Sequence, residues 1–310
     1  MGKVKPQCLI CKEELHKMWA TTRDVEYYSL PGEFRFYHCT ECDVLSLFPV
    51  PNNQLATIYP PNYYSFDGTL DSPVYRIKEW LDKRLFRTIL KDFPERELQA
   101  LDIGGGTGWM LETIRKIDSR VTHTQIVDLN EEAIVEARLR GHGAHHGSIE
   151  SFESPEKYDI VLMLSLIEHV LDPVAVLTKI SELLTPEGVV IIKTPNFDSL
   201  DAHLFRHHHW AGFHCPRHWA LFTKTSFERA CSRAGLRTRH FQYTQGAPGW
   251  AGSVLNFLST RGLIEVNSER PMLSHPLSTP LLALFAGLDL IRVRFAKTSQ
   301  MFFVLELDRD

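Results

Sequence analysis

Asp102 and Asp128 each close a short apolar run, and between them lies Gly104-Gly105-Gly106-Thr107-Gly108. Glycines let a backbone turn with positive φ and approach a ligand closely. A dinucleotide-binding loop needs G-x-G-x-x-G, but counted from Gly104 the third glycine falls on Trp109. The spacing here is Asp-x-Gly-x-Gly-x-Gly. Asp102 would oppose a pyrophosphate yet suit a ligand carrying positive charge, and Asp128 can accept hydrogen bonds from both hydroxyls of a ribose. An adenosine with a cationic tail and no phosphate satisfies both acids. The plain alternative is a tight strand–helix turn that holds no ligand.

A second constellation is Cys8-Leu9-Ile10-Cys11 with Cys39-Thr40-Glu41-Cys42. Two C-x-x-C pairs suit a closed tetrahedral zinc site of the structural kind. The stretch 12–38 is longer than the usual ~15–20 residues, with room for strands at Val25–Ser29 and Phe34–His38 around the Pro31-Gly32 turn. Four unrelated buried cysteines are the alternative. Cys215 and Cys231 lie in no recognisable reactive setting. A third constellation is residues 195–222, where His203, His207, His208, His209, His214 and His218 are interleaved with Trp210, Phe213 and Trp219; the whole chain has 15 histidines. It suggests a pocket holding a sugar or other polyol between aromatic faces and imidazoles; Arg217-His218, which resembles a Pro-Arg-His segment of known enzymes, is the preferred contact. A metal site is the second reading, although no H-x(3)-H pair there has acids nearby in sequence.

Regular elements must position these groups. Leu98 to Ile103 reads as a buried strand, and Met110, Leu111, Ile114 and Ile117 repeat at helical spacing directly after the glycine loop. Thr124 to Val127 is the next strand, and Asn130 caps a helix stopped by Gly141. His142 to Gly147 suits a short strand. Tyr158 to Leu164 is the continuous apolar run of a parallel strand covered on both faces. A helix from Pro173 to Leu184 and the turn 185–188 lead to a strand at Val189 to Thr194. Thr223 or Thr225 caps a further helix, Arg237 to Tyr243 is a strand, and Met301 to Leu307 supplies an antiparallel last strand. Before the first strand, residues 74–92 form an amphipathic helix with Val74, Ile77, Leu81, Leu85 and Ile89 inward. Strand, loop, helix, strand in this order is the first half of a doubly wound α/β sheet, whose ligand sits at the strand ends.

The segment from residue 98 to 195 resembles class I S-adenosylmethionine (SAM)-dependent methyltransferases. The glycine loop stands as their motif I, Asp128 as the acidic end of their second strand, and Glu168-His169 as the pair that follows their fourth. The two cysteine pairs, the run Tyr59-x(3)-Tyr63-Tyr64 and the SAM motif together resemble bacterial methyltransferases with an N-terminal zinc-binding domain, including enzymes that methylate nucleotide-linked deoxysugars. The resemblance implies a Rossmann-like, mostly parallel seven-stranded sheet with a small N-terminal zinc ribbon. It also implies SAM binding by Asp102, Gly104, Gly106, Gly108, Asp128, Leu129, Ser148, Ile149 and Leu164. The expected organisation is a zinc ribbon at 1–48, a linker at 49–73, and a methyltransferase domain at 74–310 with a lid at 195–222 and an insertion at 244–299. Within that insertion residues 244–276 read as loop-rich, with a short helix from Ala251 to Ser259.

The SAM sulfonium is already a strong methyl donor, so such a protein mainly aligns the nucleophile and excludes water. A hydroxyl or enolisable carbon acceptor would also need a base. His169 is the first candidate because an imidazole titrates near neutrality; His214, His218 and Tyr64 are reserves, and hydrogen bonding of His169 to a backbone carbonyl is the structural alternative. Glu168 is expected to orient a neighbour.

Forty-four per cent apolar and 23% charged residues describe an ordinary globular chain, and a net charge of −4 argues against an extended phosphate-binding surface. The N-terminus lacks the apolar core of a signal peptide, which predicts a cytoplasmic location. The apolar segment 277–291 is too short to cross a bilayer. A buried helix is the first expectation for it, with an interfacial helix continuing into the basic stretch to 297, or a dimer surface, as the alternative. These features predict SAM-dependent methyl transfer to a small molecule, a saccharide or sugar-linked metabolite, with a structural zinc. An RNA methyltransferase gripping its substrate with the zinc ribbon and a non-catalytic SAM-binding protein are the competing classes, the former disfavoured by the acidic charge balance.

Overall fold

The structure is a computed structural model that describes residues 5–60, 63, 83–267 and 272–309. In chain order its strands are β1 Lys17–Thr22, β2 Phe34–Cys39, β3 Val44–Phe48, β4 Leu98–Ile103, β5 Val121–Asp128, β6 Gly143–His146, β7 Tyr158–Leu164, β8 Leu184–Pro195, β9 Ala220–Phe222, β10 Leu236–Thr244 and β11 Gln300–Leu307. Seven of them form one sheet in the order β10-β11-β8-β7-β4-β5-β6. The run from β6 to β8 is parallel, and β11 enters antiparallel between β8 and β10. Counted from the first strand of this sheet, the parallel part reads 3-2-1-4-5, the doubly wound Rossmann order.

The continuous apolar runs of the central strands follow from coverage on both faces. Leu101, Ile103, Val161, Met163, Val190 and Ile192 point into one core, whereas Ala100, Ile160, Leu162, Val189 and Ile191 point into the other. Because alternate strand residues face opposite sides, both alternating sets of positions along these strands are mainly apolar. After the short α1 Leu55–Ile58, helical residues 83–90 (α2), α3 Trp109–Ile117 and α4 Glu131–Leu139 close the second core through Phe86, Leu90, Leu111, Ile114 and Ile134. The first is closed by α5 Pro173–Leu183 and α7 Lys224–Arg233. The helix starts are capped as their sequences require: Asn130 accepts from the Ala133 amide, Asp172 from Ala175, and Thr223 forms a reciprocal capping box with Ser226. Of the amphipathic helix expected at 74–92, residues 74–82 lie outside the described residues.

The N-terminal unit is continuous with the rest of the fold. Its sheet is β1-β2-β3-β9, so β3 pairs with a strand from far along the chain, with Val44, Leu45 and Ser46 opposite Phe222, Leu221 and Ala220. Its apolar residues, Phe36, Leu45 and Leu47 among them, share one core with β7 and β8. The strand expected at Val25–Ser29 is a loop. Asp24 dictates it: the carboxylate accepts from the amides of Glu26, Tyr27 and Ser29 and from the Ser29 hydroxyl, the side-chain mimicry of a turn that aspartate favours over strand pairing.

Residues 195–222 are packed into the fold, not laid over a cleft as a lid would be. Phe213 stacks on Phe36 with ring centroids 4.6 Å apart, the Trp210 indole donates to Asp201, and the Trp219 indole donates to the Pro216 carbonyl. All three rings are buried, so none of them presents a face to a sugar. The segment contributes α6 Leu200–Phe205. The helix expected at Ala251–Ser259 extends over α8 Ala247–Thr260, and the apolar segment 277–291 forms α9 Ser278–Arg292.

That last helix is not the buried one expected. It meets α8 along one side, where Phe285 stacks on Trp250 at 5.2 Å, and Leu284, Leu288 and Ile291 stay exposed on another. Two short helices forming a hairpin can each cover only one face of the other. No helix among the described residues is long and apolar enough to cross a membrane.

Candidate active site

The loop between β4 and α3 crosses the sheet between the ends of β4 and β5. A Cβ on Gly105 would lie 2.6 Å from the carboxyl carbon of Asp102, so only glycine lets the backbone pass over that acid. Gly108, with φ +84°, ends the loop in the left-handed region and starts α3. Asp128 ties the loop to the next strand: its Oδ2 accepts from the Gly106 amide at 2.8 Å and its Oδ1 from the Asn130 amide at 2.8 Å. Asp102 is buried, and no described residue donates a hydrogen bond to its carboxylate; burial, with Asp128 nearby, raises its pKa to about 8. A buried acid without donors is stabilised as an anion by a neighbouring cation. Leu166 packs on the loop, 3.1 Å from where a Gly104 Cβ would stand, which brings the segment after β7 to the same place.

Of the other residues expected at the cofactor, Ser148 and Ile149 begin a 3-10 turn immediately after β6, with Ile149 buried. Leu164 ends β7 half-buried, and Leu129, next to Asp128, is largely exposed. Parallel pairing places these positions along the same edge of the sheet as Asp102 and Asp128.

The four cysteines come together as their spacing suggests. The Sγ atoms of Cys8, Cys11, Cys39 and Cys42 all lie within 4.8 Å of one another, and those of Cys11 and Cys39 are 3.6 Å apart. Tetrahedral Zn–S bonds of about 2.3 Å place sulfurs at such separations. Within each C-x-x-C pair an amide points at a sulfur: Ile10 at Cys8 and Cys42 at Cys39, both at 3.4 Å. Burial pushes the Cys8 thiol up to about 11, so deprotonation there calls for a cation. The donor set fits zinc.

A third cluster assembles from distant parts of the chain. The turn Ile167–His169 delivers Glu168 and His169, and residues 214–218 deliver His214, Arg217 and His218. Tyr59 and Tyr63 come from the tyrosine run. The rings of His169 and His218 are 4.6 Å apart, those of His214 and His218 5.0 Å, and those of Tyr63 and His214 5.7 Å. His214 bridges two elements: Nδ1 meets the Glu26 carboxylate and Nε2 lies 3.1 Å from the Tyr63 hydroxyl. Ser165 and His214 hold φ of +56° and +37°, a conformation costing a non-glycine residue of order 1 kcal/mol, at the two points that present the cluster. Tyr64 lies outside the described residues.

Two expectations about this cluster change. His169 Nδ1 is 2.9 Å from the Tyr59 hydroxyl and 3.1 Å from the Arg217 carbonyl. Burial, with the His214 and Arg217 charges nearby, pushes its pKa down to about 3, far from the near-neutral match that recommends an imidazole as base. The contact to a backbone carbonyl is the one the structural alternative expects. Arg217, expected as a substrate contact, is committed to protein partners. Fully buried, it donates through Nε to Ile58 O at 2.6 Å, through Nη1 to Cys215 O and through Nη2 to Asp24 and Ser29, with its guanidinium 4.5 Å from the Tyr27 ring centroid. Asp24 and Glu26, which reach the cluster from the N-terminal unit, carry no motif that could have announced them.

Comparison with known proteins bears on the whole. A family model described as "Methyltransferase domain" matches residues 75–240, more than half of the chain. A "Ubiquinone biosynthesis O-methyltransferase" of Bradyrhizobium diazoefficiens is 30% identical over 105 residues, 32% of this chain and 40% of that protein. The enzyme of the same name from Aromatoleum aromaticum is 33% identical over 115 residues, 34% of this chain and 47% of that one. The chain thus spans less than half the length of these curated relatives. Among solved structures, the plantazolicin methyltransferase BpumL in complex with a monoazolic desmethylPZN analog and SAH aligns with a TM-score of 0.49 and 19% identity, covering 80% of this chain and 91% of that one. The match over residues 75–240, set on a sheet of 3-2-1-4-5 order, shows that the chain belongs to the methyltransferase domain family.

Proposed function

We propose that the protein transfers the methyl group of SAM to a small-molecule acceptor. The observation that carries this reading is the Asp102–Gly105–Asp128 arrangement: a buried acid lacking donors, covered by a glycine backbone, beside a second acid clamped to Gly106. The first suits a positively charged ligand and the second retains lone pairs for ribose hydroxyls. A nicotinamide dinucleotide would place a pyrophosphate against Asp102, a buried acid whose ionised form an anion disfavours further.

Our choice for the acceptor site is the cluster of Tyr63, His169, His214 and His218; the contact of Leu166 with the glycine loop supports it. In-line attack on the sulfonium requires the protein to align the nucleophile and exclude water. Glu26, His214 and Tyr63 form a carboxylate–imidazole–phenol chain positioned to take the acceptor's proton, with His169 orienting the loop. A hydroxyl acceptor on a saccharide or sugar-linked metabolite is favoured: the relatives are named O-methyltransferases, and the two cysteine pairs support the likeness to sugar methyltransferases. The four cysteines would hold a structural zinc, whose thiolate bonds stiffen the N-terminal sheet.

Incubating the purified protein with methyl-labelled SAM and a metabolite extract, followed by mass spectrometry, tests the reading. Release of S-adenosylhomocysteine (SAH) with a labelled product is expected. Binding of a pyridine dinucleotide in place of SAM and SAH would overturn it; SAH binding without turnover in any extract would favour a non-catalytic role.

A further inference from the structure

The mechanism proposed above makes no use of the Glu168 carboxylate, and its surroundings are unusual. Glu168 is fully buried, and its Oε2 accepts from the Thr194 hydroxyl at 3.1 Å. Its Oε1 is buried with no hydrogen-bond partner. His218 Nε2 stands 3.9 Å from it. His218 is also buried, and its Nδ1 is 2.8 Å from the Gly212 carbonyl. A carbonyl oxygen only accepts, so the proton of a neutral His218 sits on Nδ1 and its Nε2 lone pair faces Glu168. His169 Nδ1 meets the Arg217 carbonyl, which only accepts, and the Tyr59 hydroxyl, which can accept or donate; with the proton on Nδ1 both are satisfied and the lone pair is left on Nε2. A buried carboxylate oxygen and two imidazoles are therefore gathered with ligand-capable atoms within 4.8 Å of one another, and no described residue donates into the space between. Lone pairs facing one another need a cation.

We infer that Glu168, His169 and His218 bind one divalent transition-metal ion. The chemistry on the page supports this on three points. Two imidazoles and one carboxylate form a borderline N/O donor set suited to first-row divalent metals, in contrast to the four thiolates of the N-terminal unit. Both imidazoles anchor the opposite ring nitrogen to a backbone carbonyl, the outer-shell support that fixes a ligating histidine's tautomer and orientation. Thr194 orients the carboxylate in the same way. Three protein ligands leave coordination positions open. If the methyl-transfer reading holds, on which only this role rests, an acceptor hydroxyl fills one of them and is made more acidic by the metal, beside the Tyr63–His214 pair that would take its proton. The acceptor class is then an oxygen compound able to ligate a metal, such as a diol.

The test uses the full-length protein with its cysteine site loaded with zinc. Mn2+ is titrated in, and free Mn2+ is followed by electron paramagnetic resonance. Saturable binding of one Mn2+ per chain is expected, weakened at least tenfold in Glu168→Gln and in His218→Gln, with zinc content and circular dichroism unchanged. Because a buried substitution can prevent folding, Co2+ is also added to the zinc-loaded wild type. A visible spectrum of nitrogen and oxygen coordination, without thiolate charge-transfer bands, supports the site and needs no variant. Absence of saturable Mn2+ and Co2+ binding, or Mn2+ affinity unchanged in folded Glu168→Gln, overturns the inference and leaves a proton shared between Glu168 and His218 as the explanation. Calorimetry with SAH on the same preparation separates the two readings. SAH binding without any Mn2+ or Co2+ binding removes the metal alone, whereas Mn2+ binding without SAH binding supports the metal and removes the methyl-transfer reading.

Discussion

Replacing Asp128 by alanine tests the nucleoside site most directly. In the structure each carboxylate oxygen already accepts one amide hydrogen bond, from Gly106 and Asn130, both at 2.8 Å. Each oxygen keeps a lone pair, so two ribose hydroxyls can be held as well. A hydrogen bond to a charged acceptor contributes about 1.5–3 kcal/mol, and Asp128 is half-buried, which favours the lower end for each. Losing two costs about 3 kcal/mol, or roughly a hundredfold in dissociation constant at 1.4 kcal/mol per decade. Asp128→Asn keeps one acceptor oxygen and should lose about tenfold. The amides of Gly106 and Asn130 lose a partner too, a cost of about 2 kcal/mol in stability, which a domain of ordinary stability survives. Isothermal calorimetry with SAH gives the affinity and circular dichroism the fold. Wild-type affinity in a folded Asp128→Ala protein would refute the placement of the ribose.

Four further outcomes follow from the geometry. Asp102, raised to about 8 from an ordinary 3.8, binds a proton in the folded chain that the unfolded chain has released; stability of the ligand-free protein therefore falls as pH rises from about 4 to 8. Asp102→Asn removes that dependence, so its urea midpoint should gain on the wild type between pH 5 and pH 8. Gly108→Ala puts a side chain at φ +84°, with its Cβ 2.6 Å from the His142 ring and 2.7 Å from Ile126, and should lower stability by about 3 kcal/mol in chemical denaturation. Arg217→Met strands the buried Asp24 carboxylate, which Arg217 helps hold below its ordinary range; a loss of about 3–5 kcal/mol is expected, partly recovered by adding Asp24→Asn. Chelation of zinc, or Cys39→Ser with metal content followed by elemental analysis, should lower the melting temperature of the zinc-loaded protein, because the proposed metal would tie Cys8 and Cys11 to Cys39 and Cys42.

How much of this was legible without coordinates depends on the range over which each signal acts. The glycine loop, the acids that flank it, the caps at Asn130 and Thr223 and the central strands were all readable, because each is set by backbone constraints or burial within a few consecutive residues. The cysteine cluster was readable because C-x-x-C spacing already fixes two ligands locally, leaving one pairing to find. The chain past residue 195 misled for the opposite reason. Its histidines and tryptophans look like an open binding surface, yet Phe213 stacks on Phe36 and Arg217 spends its donors on Asp24, Ser29 and two carbonyls. Those partners lie more than a hundred residues away, apart from Cys215. The absence of acids near His214 and His218 in sequence was likewise no guide, since Glu26 and Glu168 approach them only in three dimensions. Periodicity and turn chemistry are local, so the sheet, its glycine loop and the family are readable from the residues alone. Which polar side chains are used up in packing and which remain for chemistry emerges on folding, because hydrogen-bond satisfaction is counted across contacts that no local pattern records.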